Sequence, residues 1–239
     1  MGNRKTILLV NDDGIKSEGL KTLAKVAMKY GDLFVVAPEK QQSAKSHCIS
    51  LGIPIDVYEV PDYLEGVHAY YINSFPADCV RVGIELIGRK PDLCLSGINN
   101  GFNIAADIQY SGTLGAAFEA AFRGIPAIAF SQPFNGLRET TDRYLEEMLV
   151  EHMDKPLPPE KIWNINFPDC HVDECKGVLY DRTLATVNFY HDRFELTPAG
   201  EGHQIFTIQT RRSFEAPEGT DLHAICSNYV SVGTVTNLM

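Results

Sequence analysis

Two adjacent carboxylates, Asp12 and Asp13, stand just beyond a run of four apolar residues, 7–10, and are followed by Gly14. Such a run near a chain start reads as a buried parallel strand. In an open α/β sheet, ligands bind in the crevice beyond the carboxyl ends of the strands, where this pair would sit. Neighbouring carboxylates repel each other, and a bound cation relieves the repulsion. Two more loops follow predicted strands and open on the same crevice. One runs from Ala37 to His47 and carries Ser43; the other runs from Ser96 through Asn99 and Asn103 to Gly115. Carboxylates, a hydroxyl and carboxamides meet there, with no cysteine and at most one histidine, His47. Oxygen ligands of this kind suit hard cations such as Mg²⁺ or Mn²⁺. The stretch Ser111-Gly112-Thr113-Leu114-Gly115 precedes an alanine-rich helix. Free N–H groups at a helix start bind anions, and a phosphate held there would also touch the metal. Neither a Walker loop nor a Gly-x-Gly-x-x-Gly dinucleotide loop is present.

Each signal has a plainer reading. Asp-Asp-Gly is a common turn, Ser-Gly-Thr a helix cap, and His47 a surface or packed histidine. Their placement after successive strands is what marks a site.

The positioning elements alternate. A helix capped by Ser17 buries Leu20, Leu23, Ala24 and Ala27, and Gly31 stops it. Strands are expected at 33–37, 69–72, 93–95 and 127–130, with a further strand-like period of two over 49–60 broken by Pro54. Helices are expected from Ser74 and Pro76 to Gly88, over 114–123 and over 140–153, with 96–112 a glycine- and asparagine-rich loop. This alternation implies an α/β fold, a doubly wound, mostly parallel sheet in three layers. Proline-rich residues 154–161 form a break. Beyond it, strands at 163–166, near 178–187 and at 204–210, with a closing alternation at 229–232, read as hairpins. That tail is expected to be an oligomer arm or a lid. Aromatics in 180–200, Tyr180, Phe189 and Tyr190, either shape a ligand pocket with loop 39–48 or pack at a subunit contact.

Bulk properties narrow the function. The chain has 239 residues, 44% hydrophobic and 22% charged, with 31 acidic against 21 basic side chains. That is long enough for one large α/β domain with a sizeable core, or for two small domains. The net charge of −10 disfavours nucleic-acid or anionic-membrane partners, which need a basic face. No stretch has the roughly 18 apolar residues of a membrane span. Gly2 with Thr6 fits a myristoylation pattern only loosely, since Thr6 opens the first strand. Six scattered cysteines lack disulfide-scaffold spacing and suit a reducing cytoplasm. The Cys170-His171 to Cys175 stretch has no CxxC partner elsewhere and reads as a polar loop rather than a zinc site.

Taken together, residues 7–14, Val35-Val36-Ala37-Pro38 with Ser43, Ser96-Gly97-Ile98-Asn99, Gly101 with Asn103, and Tyr110-Ser111-Gly112-Thr113 resemble the SurE (survival protein E) family of metal-dependent nucleotidases. Weaker similarity runs through Gly219-Thr220-Asp221 and Tyr229–Val232, so the resemblance spans nearly the whole chain. It implies one unit over 1–239, with a Rossmann-like core at 1–153. Residues 154–239 would supply the remaining strands and a C-terminal β-hairpin arm for homodimers or tetramers. It implies hydrolysis of nucleoside 5′- and 3′-monophosphates, and in some members of short polyphosphate. One divalent cation per subunit would be held by Asp12, Asp13, Ser43 and Asn99, and the phosphate by Asn103 and Ser111-Gly112-Thr113. The residues and the resemblance together give one of the two aspartates, Asp12 before Asp13, as the base that takes the water's proton, with His47 a candidate for stabilising the leaving group. Two positions depart from the family pattern. Ala44 stands where many members have glycine, and the tail Ser231–Val235 lacks the family's Thr-Pro pair. Receiver domains share only the acidic pair; they need a third aspartate where this chain has Ser96–Asn99. A nucleotide-binding scaffold without turnover would need the four ligands lost, and all four are present.

Overall fold

A computed structural model describes residues 4–236. Gly2 of the loose myristoylation pattern lies outside them. The strand β1 (Lys5–Val10) carries Ile7, Leu8, Leu9 and Val10, all fully buried. Alternation sends them to opposite faces. Ile7 and Leu9 join one core with Leu20, Leu23, Leu145 and Met148, while Leu8 and Val10 join another with Val80, Leu114 and Ala117. Two helices therefore cover each face, making three layers.

On the first face lie α1 (Glu18–Ala27) and α4 (Glu139–His152). The Ser17 hydroxyl caps α1 by accepting the Leu20 N–H at 3.3 Å. On the second lie α2 (Pro76–Ile87) and α3 (Gly112–Phe122). Pro76 opens α2, and Gly88 closes it with a left-handed φ of 72°.

The other central strands are β2 (Gly31–Pro38), β4 (His68–Ile72), β5 (Leu93–Asn100), β6 (Ala127–Gln132) and β7 (Lys161–Asn166). With β1 they run parallel in the order β4-β2-β1-β5-β6-β7. The chain builds outward from β1 through β2 to β4, then returns to β5 and builds the other way. The switch point, where a crevice must open, therefore lies between β1 and β5.

The flanks differ from the sequence reading. Of the alternation at 49–60 only β3 (Val57–Glu59) is a strand, pairing antiparallel with β4. Pro54 breaks the run, and Leu51 and Ile53 are 76% and 65% exposed. The closing strand β11 (Val230–Thr236) is not part of a hairpin. It lies within the sheet, antiparallel to β7 and parallel to the edge strand β8 (Val178–Arg182). The one separate hairpin among the described residues is β9 (Tyr190–Gly200) with β10 (His203–Arg212). Its Phe194, Leu196, Phe206 and Ile208 are all exposed. A short helix, α5 (Asp221–Cys226), was not legible from periodicity. It packs Leu222 and Ile225 with Phe102, Ile104 and Phe189 into a third core, which holds the hairpin's root against the sheet. Cys170 is buried, and His171 turns to Glu139. Among the described residues no helix is long and apolar enough to cross a membrane.

Candidate active site

Asp12 and Asp13 leave β1 at the switch point. Asp12 is 3% exposed. Its carboxylate accepts the Thr113 hydroxyl at 2.6 Å, and its carbonyl accepts the Gln42 N–H at 2.7 Å. Burial pushes its pKa up to about 7, with the Asp13 charge adding to the shift and the Thr113 hydrogen bond opposing it. The Asp13 carboxylate accepts the Asn100 N–H at 2.8 Å and the Gln41 amide at 3.2 Å. Burial raises its pKa too, against those hydrogen bonds. A buried and a half-buried carboxylate that both resist ionisation are electrostatically incomplete, and a cation would complete them.

The remaining oxygen donors, Ser43 and Asn99, line the same cavity as Asp12. The Gln41 amide also donates to the Ser43 hydroxyl at 2.9 Å, which couples Ser43 to Asp13 through one side chain. The Asn99 NH₂ is committed to the Gly101 carbonyl at 2.8 Å, so its carboxamide oxygen is left for a ligand. Two carboxylates, a hydroxyl and a carboxamide oxygen fit a hard divalent cation. Among the described residues no three His, Cys, Asp or Glu cluster as a metal site, so these four positions need the neutral donors to hold one.

A cavity of about 750 Å³ opens here, lined by Asp12, Ser43, Asn99, Asn103 and Ser111 among others. Asp13 lines an adjoining cavity of about 380 Å³ that shares Gln41 and Asn100 with the larger one. The α3 N-terminus faces Asp12. Ser111 caps it by accepting the Leu114 N–H, and the Ser111 carbonyl takes the Gly115 N–H. The N–H groups of Gly112 and Thr113 have no acceptor within the helix. A Cβ at Gly112 would approach the Asp12 side chain to 3.0–3.1 Å, so glycine lets this backbone lie against the carboxylate. Asn103 is buried and held from three sides. Its amide donates to Ser131 at 2.8 Å, its N–H reaches Asn166, and its carbonyl accepts from Asn164 and Asn166.

His47 is not brought to the cavity. Its imidazole meets the Glu119 carboxylate on α3 at 3.0 Å, and Arg123 holds the other Glu119 oxygen at 2.7 Å. Burial disfavours the Glu119 anion, but the His47 and Arg123 hydrogen bonds outweigh it and keep the carboxyl below its ordinary range. His47 is thus a fastener for the loop that carries Ser43. The same loop explains the Ala44 departure: Ala44 has φ 55°, a left-handed conformation that suits glycine and costs alanine about 1 kcal/mol.

Gly115 seats this loop. A Cβ there would lie 2.4 Å from the Ser46 carbonyl oxygen and 3.0 Å from the His47 Cα. Helix propensity alone favours alanine by about 1 kcal/mol, whereas forced overpacking costs about 1–3 kcal/mol. Gly115→Ala is therefore expected to keep its helix content, shift Ser43, and lose roughly tenfold in catalytic efficiency. A circular-dichroism melt beside steady-state rates checks this, and parental rates would show that the loop is not seated by that contact.

Several residues of the site were not picked out from the sequence. Gln41 lies in the crevice loop 37–47, where the sequence singles out Ser43 and His47 alone. Asn164 and Asn166 were readable, since carboxamides two apart at a strand's carboxyl end share one face and point at the crevice. Tyr190 lines the cavity, whereas Phe189 is buried and Tyr180 is turned away to Glu151.

A family model described as survival protein SurE matches residues 7–188. The chain is 37% identical to the 5′-nucleotidase SurE of Thermosipho africanus over 235 residues, covering 96% of this chain and 91% of that protein. It is 34% identical to the 5′-nucleotidase SurE of Flavobacterium psychrophilum, covering 96% and 91%. The crystal structure of the SurE protein from Aquifex aeolicus superimposes with a TM-score of 0.81 at 32% identity, over 97% of this chain and 93% of that one.

Proposed function

From the premise that this chain belongs to the survival protein SurE family, we propose that it is a phosphoric monoester hydrolase acting on nucleoside 5′- and 3′-monophosphates, with short polyphosphate a further substrate. The observation that carries the reading is the meeting of a buried and a half-buried carboxylate, both held against ionisation, with the N-terminus of α3 at one switch point. One element calls for a cation and the other for an anion, and a phosphate ester with a divalent metal satisfies both.

Asp12, Asp13, Ser43 and Asn99 would hold one Mg²⁺ or Mn²⁺ per subunit. When bound, such a cation supplies a Lewis acid for the phosphoryl oxygens and favours ionisation of a nearby water. The chain's own groups do the rest. The Gly112 and Thr113 N–H groups, with the Asn103 carboxamide, hold the equatorial oxygens as charge develops on them. Asp12, buried beside the Thr113 hydroxyl, takes a proton from the attacking water. The water oxygen bonds to phosphorus, the ester P–O bond breaks in line, and the proton passes back to the departing nucleoside oxygen. The His47 contact with Glu119 keeps that imidazole in a seating role. Adjacent aspartates serve a shared ion better than an aspartyl-phosphate route, which places its carboxylates two apart on one strand face.

Residues 1–153 and 154–239 act as one unit, because β7 and β11 extend the same sheet. The exposed apolar side chains of the hairpin are covered by a second copy, giving a homodimer or a tetramer. Free thiols throughout the described residues suit the cytoplasm.

Phosphate release from a panel of 5′- and 3′-nucleoside monophosphates and tripolyphosphate, with Mg²⁺, Mn²⁺ or EDTA, tests the reading. Metal-dependent release abolished by EDTA is expected. No release from any of them by the folded protein with either metal would overturn it.

A further inference from the structure

Asp12 and the α3 cap Ser111 occupy one end of the large cavity, with Asp13 in the adjoining one. The hairpin's root forms another wall, with Tyr190, Asp192, Thr210 and Arg212 lining it. Tyr190 and Arg212 face each other in the β9–β10 register. Asp107 fixes this root. Its carboxylate accepts the backbone N–H of Phe189 at 2.5 Å and of Tyr190 at 3.1 Å. Asp107 belongs to the 3₁₀ turn Ala105–Tyr110, which leads directly into α3. The hairpin wall is therefore held at a set distance from the anion-binding N–H groups.

Arg212 is the single lysine or arginine lining the cavity among the described residues. Its guanidinium lies 6.0 Å from the Phe189 ring and makes no ion pair or hydrogen bond among those residues. The carboxylates of this wall are engaged elsewhere: Asp107 holds the hairpin's backbone, and Asp192 accepts the Thr210 hydroxyl at 2.9 Å. A rigid five-donor fork thus stands at the cavity without an acceptor. Two aromatic side chains also line the cavity with most of their surface bare, Tyr110 at 63% and Phe134 at 52% exposure. Flat apolar faces beside a planar donor fork suit a planar heterocycle that carries acceptors on its edge. A second phosphate suits the wall less well, because Asp107 and Asp192 would repel it.

Building on the nucleotidase reading, we propose that Arg212 reads the edge of a 6-oxopurine, so that GMP and IMP are preferred over AMP. O6 and N7 are adjacent acceptors that match the guanidinium fork bidentately, whereas adenine sets its N6 amine against the donors. Pyrimidines offer no second acceptor of that spacing on the corresponding edge. The inosine and guanosine esters share O6 and N7, so they should behave alike.

The test is kcat/KM for GMP, IMP, AMP, UMP and CMP with one divalent cation, for the parent, Arg212→Met and Arg212→Lys. Methionine keeps the apolar stem and removes the fork; lysine keeps the charge alone. The parent is expected to favour GMP and IMP over AMP by about tenfold or more. Arg212→Met should bring the GMP to AMP ratio near one, chiefly through KM, and Arg212→Lys should restore only part of it. A parent without that preference, or a ratio unmoved in Arg212→Met, overturns the proposal while hydrolysis itself leaves the nucleotidase reading standing. Equal losses for GMP and AMP in the variant would mean a purely structural arginine and overturn it too. Absence of hydrolysis with every monophosphate would remove both readings together.

Discussion

Asp13→Asn is expected to lower phosphate release by at least about 10²–10³-fold, the usual cost of removing a central electrostatic contact, with folding intact. The side chain's hydrogen bonds are few and local: the Asn100 N–H on one oxygen and the Gln41 amide on the other. Asparagine keeps the shape and one accepting oxygen. It loses the charge, and with it the pairing that draws a cation to the Ser43 hydroxyl through the shared Gln41 amide. Burial already disfavours the Asp13 anion, so removing the charge should not unfold the metal-free protein. The measurement is steady-state release across a metal titration, with a thermal melt of the same samples. Turnover near that of the parent at saturating metal would overturn the assignment of Asp13 as a ligand.

How much of this site was legible in the sequence depended on the kind of signal. The central strands were readable because both faces are buried, which leaves continuous apolar runs such as Ile7–Val10. The acidic pair was readable because carboxylates at the end of such a run have no structural use in a core. The glycine- and asparagine-rich stretch read as loop was partly strand. β5 runs on to Asn100, since its polar residues face the crevice, where the hydrophobic pattern breaks off. The stretch at 49–60 failed in the opposite sense. Its period of two was real, but an alternation shows only which residues share a face, and Ile49, Leu51 and Ile53 have no neighbouring strand to pair with. The place of β11 was not legible, because pairing partners separated by more than sixty residues leave no local trace. His47 is turned to Glu119 instead of the cavity, and Glu119 lies on a helix whose composition is nearly all alanine and apolar. A single buried carboxylate on that face was the available sign.

The buried Asp12 makes stability and activity pull against each other, and this gives the second large effect. Its folded-state pKa of about 7 lies above the ordinary 3.8. The folded protein therefore holds the Asp12 proton more tightly than the unfolded chain, and the stabilisation from protonation is fully present below about pH 4. It is lost as the pH rises through about 7. The whole shift corresponds to stability on the order of 4 kcal/mol. Without metal, Asp12→Asn should thus be more stable than the parent at pH 8, by up to roughly 8–16 °C in melting temperature for a chain of this size. The difference should shrink toward pH 5, where the parent's Asp12 is itself protonated. A divalent cation reverses the order: bound only by the folded state, it raises the parent's transition at pH 8 and the variant's far less. The same variant should lose turnover as severely as Asp13→Asn, if the group that destabilises the metal-free fold is, as proposed, the one that binds the ion and takes the proton. Calorimetric melts at pH 5, 6, 7 and 8, in EDTA and in Mn²⁺, decide this. A gap between parent and variant that does not change with pH would mean that Asp12 is solvated or already paired in the free protein. The cost of its burial would then not be what makes room for the metal.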